Sequence, residues 1–113
     1  MANSGNANAA TGTQGMDDNT ALAGAVAAVL DCPADDVLVC STGVIGVPLP
    51  MARLLPAVTE AARATRTAPC TDAAAAHAIC TTDTVEKRAW CTQGAVSVGG
   101  MAKGSGMLHP GMA

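Results

Sequence analysis

Three stretches of this 113-residue chain carry groups suited to chemistry. The first is Ser41-Thr42-Gly43, which follows the apolar run Val37-Leu38-Val39-Cys40 and precedes Val44-Ile45-Gly46. A short buried strand running into a glycine turn leaves backbone N–H groups at its end. Such groups stabilise developing negative charge. The same residues also suit a tight turn with no chemistry, because glycine supplies the backbone freedom that turns need. The second stretch is Thr81-Thr82-Asp83-Thr84, three hydroxyls and a carboxylate placed just past a helix end. It fits a polar wall of a substrate pocket and equally a helix stop held by an Asx or ST turn. The third is Lys103, an isolated cation followed by Gly104, Gly106 and Gly111. A glycine loop there would carry the ammonium close to a ligand; a flexible glycine tail fits the same residues.

The remaining reactive side chains form no complete catalytic set. His77 lies in an alanine-rich helix, where a lone histidine faces solvent or packs, and His109 precedes Pro110 and reads as structural. The five cysteines, Cys32, Cys40, Cys70, Cys80 and Cys91, are far apart, without a Cys-x-x-Cys pair or a histidine at ligand spacing. They read as small buried hydrophobes with free thiols in a reducing compartment, and no metal or other bound cofactor is expected. Paired carboxylates, a Gly-x-Ser-x-Gly elbow and a phosphate loop are all missing from the sequence.

The elements that must position these groups follow from pattern and punctuation. The segment 3–12 is rich in Asn and Gly, and it reads as a loop: either a disordered terminus or one whose amides hold neighbouring segments or a ligand. A helix is expected over 18–30, capped by Asp17, Asp18 and Asn19, with Leu22, Val26, Val29 and Leu30 on one face and Pro33 beyond its end. The strand at 37–40 comes next. Pro48 and Pro50 then lead into a helix over 51–64, with Leu54, Leu55 and Val58 apolar and Pro56 in or near its first turn. A third helix over 72–80 is capped by Thr71 and Asp72. A hairpin over 86–101 follows, turning at Thr92-Gln93-Gly94. The fold class is α+β, mixed α and β, in one domain at most.

Composition limits both core and partners. Half the residues are hydrophobic, yet Trp90 is the sole aromatic and much of the apolar count is alanine. Alanine buries little surface, so a core of this kind depends on neighbours, and exposed apolar faces are expected. A net charge of -3 with scattered Lys and Arg offers no basic patch for nucleic acid or an anionic membrane. The longest apolar stretch, 21–30, is about half of a bilayer span. The sequence reads as soluble.

Taken together, Asn3-Ser4-Gly5-Asn6-Ala7-Asn8-Ala9-Ala10-Thr11-Gly12, Ser41-Thr42-Gly43-Val44-Ile45-Gly46, Thr81-Thr82-Asp83-Thr84 and the segment from Gly99 to Ala113 around Ala102-Lys103-Gly104 resemble the ornithine acetyltransferase family, the bifunctional glutamate N-acetyltransferases of arginine biosynthesis. The four motifs stand in the family's order and at its spacing. The resemblance implies acetyl transfer from N2-acetylornithine to glutamate through an acetyl-threonine intermediate, with acetyl-CoA as a further possible acetyl donor. It assigns Thr42 and Gly43 to an oxyanion hole and Thr81 and Lys103 to substrate binding. Ala113 matches the last residue before autocatalytic cleavage, and the nucleophilic threonine would begin a β chain not contained here. The expected assembly has two α and two β chains, in the cytoplasm or, in a eukaryote, in the mitochondrial or plastid matrix. Two departures stand out: Met1 lies where a further amino-terminal segment would join, and Ala10 stands where many members carry cysteine. The expectation is therefore a partial α chain, spanning 1–113 and inactive alone. The other readings are a non-catalytic remnant and a small anion-binding module.

Overall fold

The structure is a computed structural model, and it describes residues 1–67 and 71–104. Cys70, His109 and Ala113 lie outside the described residues. Five helical or strand elements form a first unit and three a second, divided between Cys70 and Thr71. Helices and two small sheets together make the mixed α+β class expected from the sequence.

In the first unit β1 (Ala2–Asn6) pairs in parallel with β2 (Cys40–Val44), in the register Ala2↔Cys40 through Asn6↔Val44. Parallel strands need a long crossover. Helix α1 (Gly12–Leu30) and a 3-10 turn (Ala34–Asp36) supply it. Helix α2 (Met51–Thr67) follows and packs against α1. Leu22, Val26, Leu49, Val58 and Ala62 form the core, with Val29, Val37, Val39, Leu54 and Leu55 partly buried around it. Leu22 is 0% exposed and is the largest fully buried side chain among the described residues. Leu22→Ala should therefore lower the unfolding free energy of the chain by about 3 kcal/mol, read from the urea midpoint.

Several expectations need correction here. The segment 2–6 is a strand and not a loop, because its backbone pairs with β2 and its Asn side chains satisfy neighbouring groups. Helix α1 begins at Gly12, well before Asp17, so Asp17, Asp18 and Asn19 lie inside it and do not cap it. Leu30, expected on the apolar face, is exposed at its end. The strand expected at 37–40 is displaced to Cys40–Val44. Val37 and Val39 pack on the core instead, and Leu38 is exposed, so pairing with β1 overrides local propensity. Pro56 lies in the second turn of α2, near its start as expected.

The second unit contains α3 (Asp72–Ile79) and the antiparallel hairpin of β3 (Lys87–Gln93) and β4 (Val96–Ala102). Thr71 caps α3, its hydroxyl accepting from Ala74 N–H at 3.2 Å. Gly94, with φ +60°, turns the hairpin with Ala95, one residue later than Thr92-Gln93-Gly94. Only Ala76 is a buried apolar residue among those described in this unit, so polar ties carry much of its cohesion. Arg88 Nη1 donates to Asp72 Oδ2 at 2.9 Å, and His77 Nδ1 lies 3.0 Å from Glu86 Oε1. Trp90, Val96, Val98 and Met101 are exposed on the hairpin, Trp90 at 73%. Cys40 and Cys91 are exposed and Cys32 and Cys80 half-buried, which corrects their reading as buried hydrophobes.

Candidate functional site

Thr42 and Gly43 sit inside β2, not on a turn beyond a strand, and the strand is what orients them. Cys40 N–H donates to Met1 O at 3.0 Å, and Ala7 N–H donates to Val44 O at 2.9 Å. Alternate residues of a parallel strand turn their backbone groups toward one neighbour, so Cys40, Thr42 and Val44 make the ladder with β1. Ser41 and Gly43 direct theirs the other way. Since β1 and β2 are the whole of this sheet among the described residues, the Gly43 N–H lies on its open edge.

The two hydroxyls beside it differ. Ser41 Oγ donates to Asn3 Oδ1 across the strand pair at 2.6 Å, and Asn3 Nδ2 donates to Asn6 O at 3.1 Å. Asn6 Nδ2 in turn donates to Val47 O at 2.9 Å, holding the segment just past β2. Thr42 is half-buried, and among the described residues its hydroxyl has no hydrogen-bond partner. A free hydroxyl and a free N–H on adjacent residues, held by an amide-rich neighbour strand, are the donors that an oxyanion requires. The Asn-rich segment thus holds neighbouring segments, the sharper of its two readings.

Gly43 is fixed by sterics as well. Its φ is +138°, and a Cβ built on it would overlap the backbone carbonyl of Gly5, its partner in register, and the Asn6 N–H. Gly43→Ala should therefore cost at least about 1 kcal/mol of stability and separate β1 from β2, seen as a lower thermal midpoint.

In the second unit Asp83 organises the polar quartet. Its side chain is 1% exposed. Oδ1 accepts from the Gly104 N–H at 2.6 Å and from Lys87 Nζ at 2.9 Å, and Oδ2 accepts from the Thr81 N–H at 3.2 Å. The Gly104 N–H, then the Lys87 ammonium, then the Thr81 N–H hold its carboxyl well below the usual carboxylate range. The stability this contributes is complete above the ordinary value of 3.8 and is lost only as pH falls through the lower folded value. Thr81 is exposed and Lys103 half-buried; neither the Thr81 hydroxyl nor the Lys103 ammonium has a partner among the described residues. Asp83 ties the segment past α3 by accepting from the residue two before it, the reverse of an Asx turn, and the Thr81 hydroxyl stays unpaired among the described residues.

Sequence reasoning counted Asp83 within the quartet but assigned it no role. No local signal gave it one, since the bond to the Gly104 N–H spans twenty-one residues. An open groove of about 710 Å³ lies elsewhere, on a hairpin face that includes Trp90, Cys91 and Val98. It contains none of Thr42, Gly43, Thr81 and Lys103, so concavity alone does not mark the candidate residues. Among the described residues no group of three His, Cys, Asp or Glu is placed to hold a metal ion, and no helix is long and apolar enough to cross a membrane.

The fold and these residues define a mixed α+β chain with two sets of anion-suited donors, one in each unit. The chain belongs to the ArgJ family, whose sequence model matches residues 1–113. It is 50% identical over 115 residues to the arginine biosynthesis bifunctional protein ArgJ of Caldanaerobacter subterraneus, a match covering 98% of this chain and 28% of that protein. The ArgJ of Streptomyces coelicolor is 52% identical over 111 residues, again covering 98% of this chain and 28% of the relative. Among solved structures, the ornithine acetyltransferase of Mycobacterium tuberculosis complexed with ornithine superposes with a TM-score of 0.89 at 46% identity, covering 99% of this chain and 61% of that one. ArgJ of Bacillus halodurans gives 0.81 at 40% identity, covering 99% and 60%. The chain thus spans little more than a quarter of the length of these curated relatives. Members of the family are acetyltransferases.

Proposed function

We propose that this chain forms part of a glutamate N-acetyltransferase that moves an acetyl group from N2-acetylornithine to glutamate through an acetyl-threonine. The observation that carries this reading is the adjacent pair of unused donors, the Thr42 hydroxyl and the edge-facing Gly43 N–H, on a strand whose other edge is committed to β1. A threonine Oγ from a β chain attacks the acetamide carbon, and the carbonyl oxygen becomes an oxyanion that takes hydrogen bonds from Thr42 and Gly43. Collapse breaks the C–N bond and releases ornithine as its amine takes up a proton. Glutamate's amine then attacks the acetyl ester, passes through a second oxyanion at the same donors, and returns the threonine hydroxyl. Splitting the transfer makes each half easier.

Thr81 and Lys103 bind substrate in this reading. A hydroxyl orients an acetamide, and an ammonium pairs with an amino-acid carboxylate. The partner is a β chain of the same precursor, in an assembly of two α and two β chains, with Ala113 at the cleavage point and the cytoplasm as the compartment. Acetyl-CoA is a second acetyl donor to the same threonine, and no bound cofactor is invoked. The test is a chimera in which these 113 residues replace the matching segment of Streptomyces coelicolor ArgJ, assayed with acetyl-labelled N2-acetylornithine and glutamate. Labelled N-acetylglutamate is expected. A folded, cleaved chimera that transfers no label would refute the reading.

A further inference from the structure

Asp83 is the one carboxylate among the described residues with a side chain only 1% exposed in an ion pair, and it accepts from three donors. Two of those donors are backbone N–H groups, one two residues before Asp83 and one twenty-one residues after it. One belongs to Thr81, at the end of α3, and the other to Gly104, the residue after Lys103 and just past β4. The third donor, Lys87 at the start of β3, places an ammonium on the same oxygen as Gly104.

We propose that Asp83 is a positioning residue that sets the spacing between the Thr81 hydroxyl and the Lys103 ammonium, and so the fit of the amino-acid substrate. The inference rests on the reading of Thr81 and Lys103 as substrate-binding residues. Asp83 does not touch substrate; it acts through the backbone on either side of the pocket residues. Its charge is taken up by Lys87, which leaves the Lys103 ammonium unpaired and available to a substrate carboxylate. Only an all-acceptor group satisfies three donors at once. Asparagine has one carbonyl oxygen, and its NH₂ would meet either the Thr81 N–H or the Gly104 and Lys87 donors, so one side of the tie must open. Glutamate keeps the acceptors but moves them outward by a methylene.

The test uses the chimera, with Asp83→Asn, Asp83→Glu, Lys103→Met and the double variant Asp83→Asn with Lys103→Met, and measures KM and kcat for both substrates. Asp83→Asn is expected to raise KM by about tenfold or more, with kcat at saturation little changed, because a displaced positioning contact is felt in binding. Asp83→Glu should shift KM in the same direction by less. In the double variant Asp83→Asn should add less to Lys103→Met than it costs alone, since the spacing it sets matters less once the ammonium is gone. A carboxylate that merely stabilised the unit would lower the amount of active enzyme, leave KM alone and combine additively. If Lys103→Met raises KM while Asp83→Asn and Asp83→Glu do not, the positioning role is overturned and the substrate-binding reading stands. If Lys103→Met itself leaves KM unchanged, that reading falls and takes this inference with it. Should Asp83→Asn fail to fold, the KM of Asp83→Glu decides, and an unchanged value overturns the proposal.

Discussion

Thr42→Ala in the chimera is expected to lower turnover for acetyl transfer by about 10²- to 10³-fold, with little change in KM. The acetamide oxygen of bound substrate is a neutral acceptor, so the Thr42 hydroxyl contributes less before reaction than once charge develops. As the carbon becomes tetrahedral the oxygen gains charge, and a donor already held in place stabilises it without reorganisation. The strand supplies that preorganisation: Thr42 backbone groups are in the β1 ladder, and its neighbour Ser41 is tied to Asn3 at 2.6 Å. Ser41→Ala removes the tie but not a donor to the oxyanion and should have a much smaller effect. Thr42→Ser, which keeps the hydroxyl, should recover most of the rate. Comparable turnover in Thr42→Ala and the parent would place the oxyanion elsewhere.

The second large effect concerns Lys103. Lys103→Met keeps much of the side chain's length and removes its charge, and KM for the amino-acid substrates should rise by about ten- to a hundredfold. That corresponds to losing a charged hydrogen bond of about 1.5–3 kcal/mol. Turnover at saturation should change far less, because the substrate carboxylate is equally charged in ground and transition states. The effect should also weaken in high salt to the extent that solvent reaches the pair, Lys103 being half-buried rather than enclosed. Unchanged KM values for both substrates would remove Lys103 from the site.

What the sequence disclosed and what it concealed differ in physical origin. Leu22 and Val26 recur at helical spacing, and both are buried in α1 as that spacing requires. The start of α1 was hidden because Gly12 and Gly15 are poor helix formers. Gly15 is needed for a tertiary reason, since a Cβ there would overlap the side chains of Thr11 and Asn8. Strand β1 was hidden for a similar reason: Asn3, Ser4, Gly5 and Asn6 avoid strands on propensity, and only the parallel partner and the Asn side-chain bonds hold them there. The hairpin was legible from Gly94 between two β-favouring runs. Thr42 and Gly43 were legible as donors, but their placement within a strand was not, because register depends on the distant β1. Asp83 shows the same limit, its shortest bond reaching a backbone N–H twenty-one residues later. No local pattern contains that contact.

The proposed stabilisation by Thr42 and Gly43 of the oxyanion through which an acetyl-threonine forms is read most directly from the rate of acetylation of the chimera in a single turnover. Enzyme mixed with N2-acetylornithine, without glutamate, is acid-quenched at intervals, and the β chain is weighed by mass spectrometry. The parent should gain one acetyl group on its amino-terminal threonine at a rate that accounts for kcat. Thr42→Ala should gain the same group at the same residue about 10²-fold or more slowly. Equal acetylation rates in the two, or label reaching glutamate from an enzyme that never carries an acetyl group, would contradict the account.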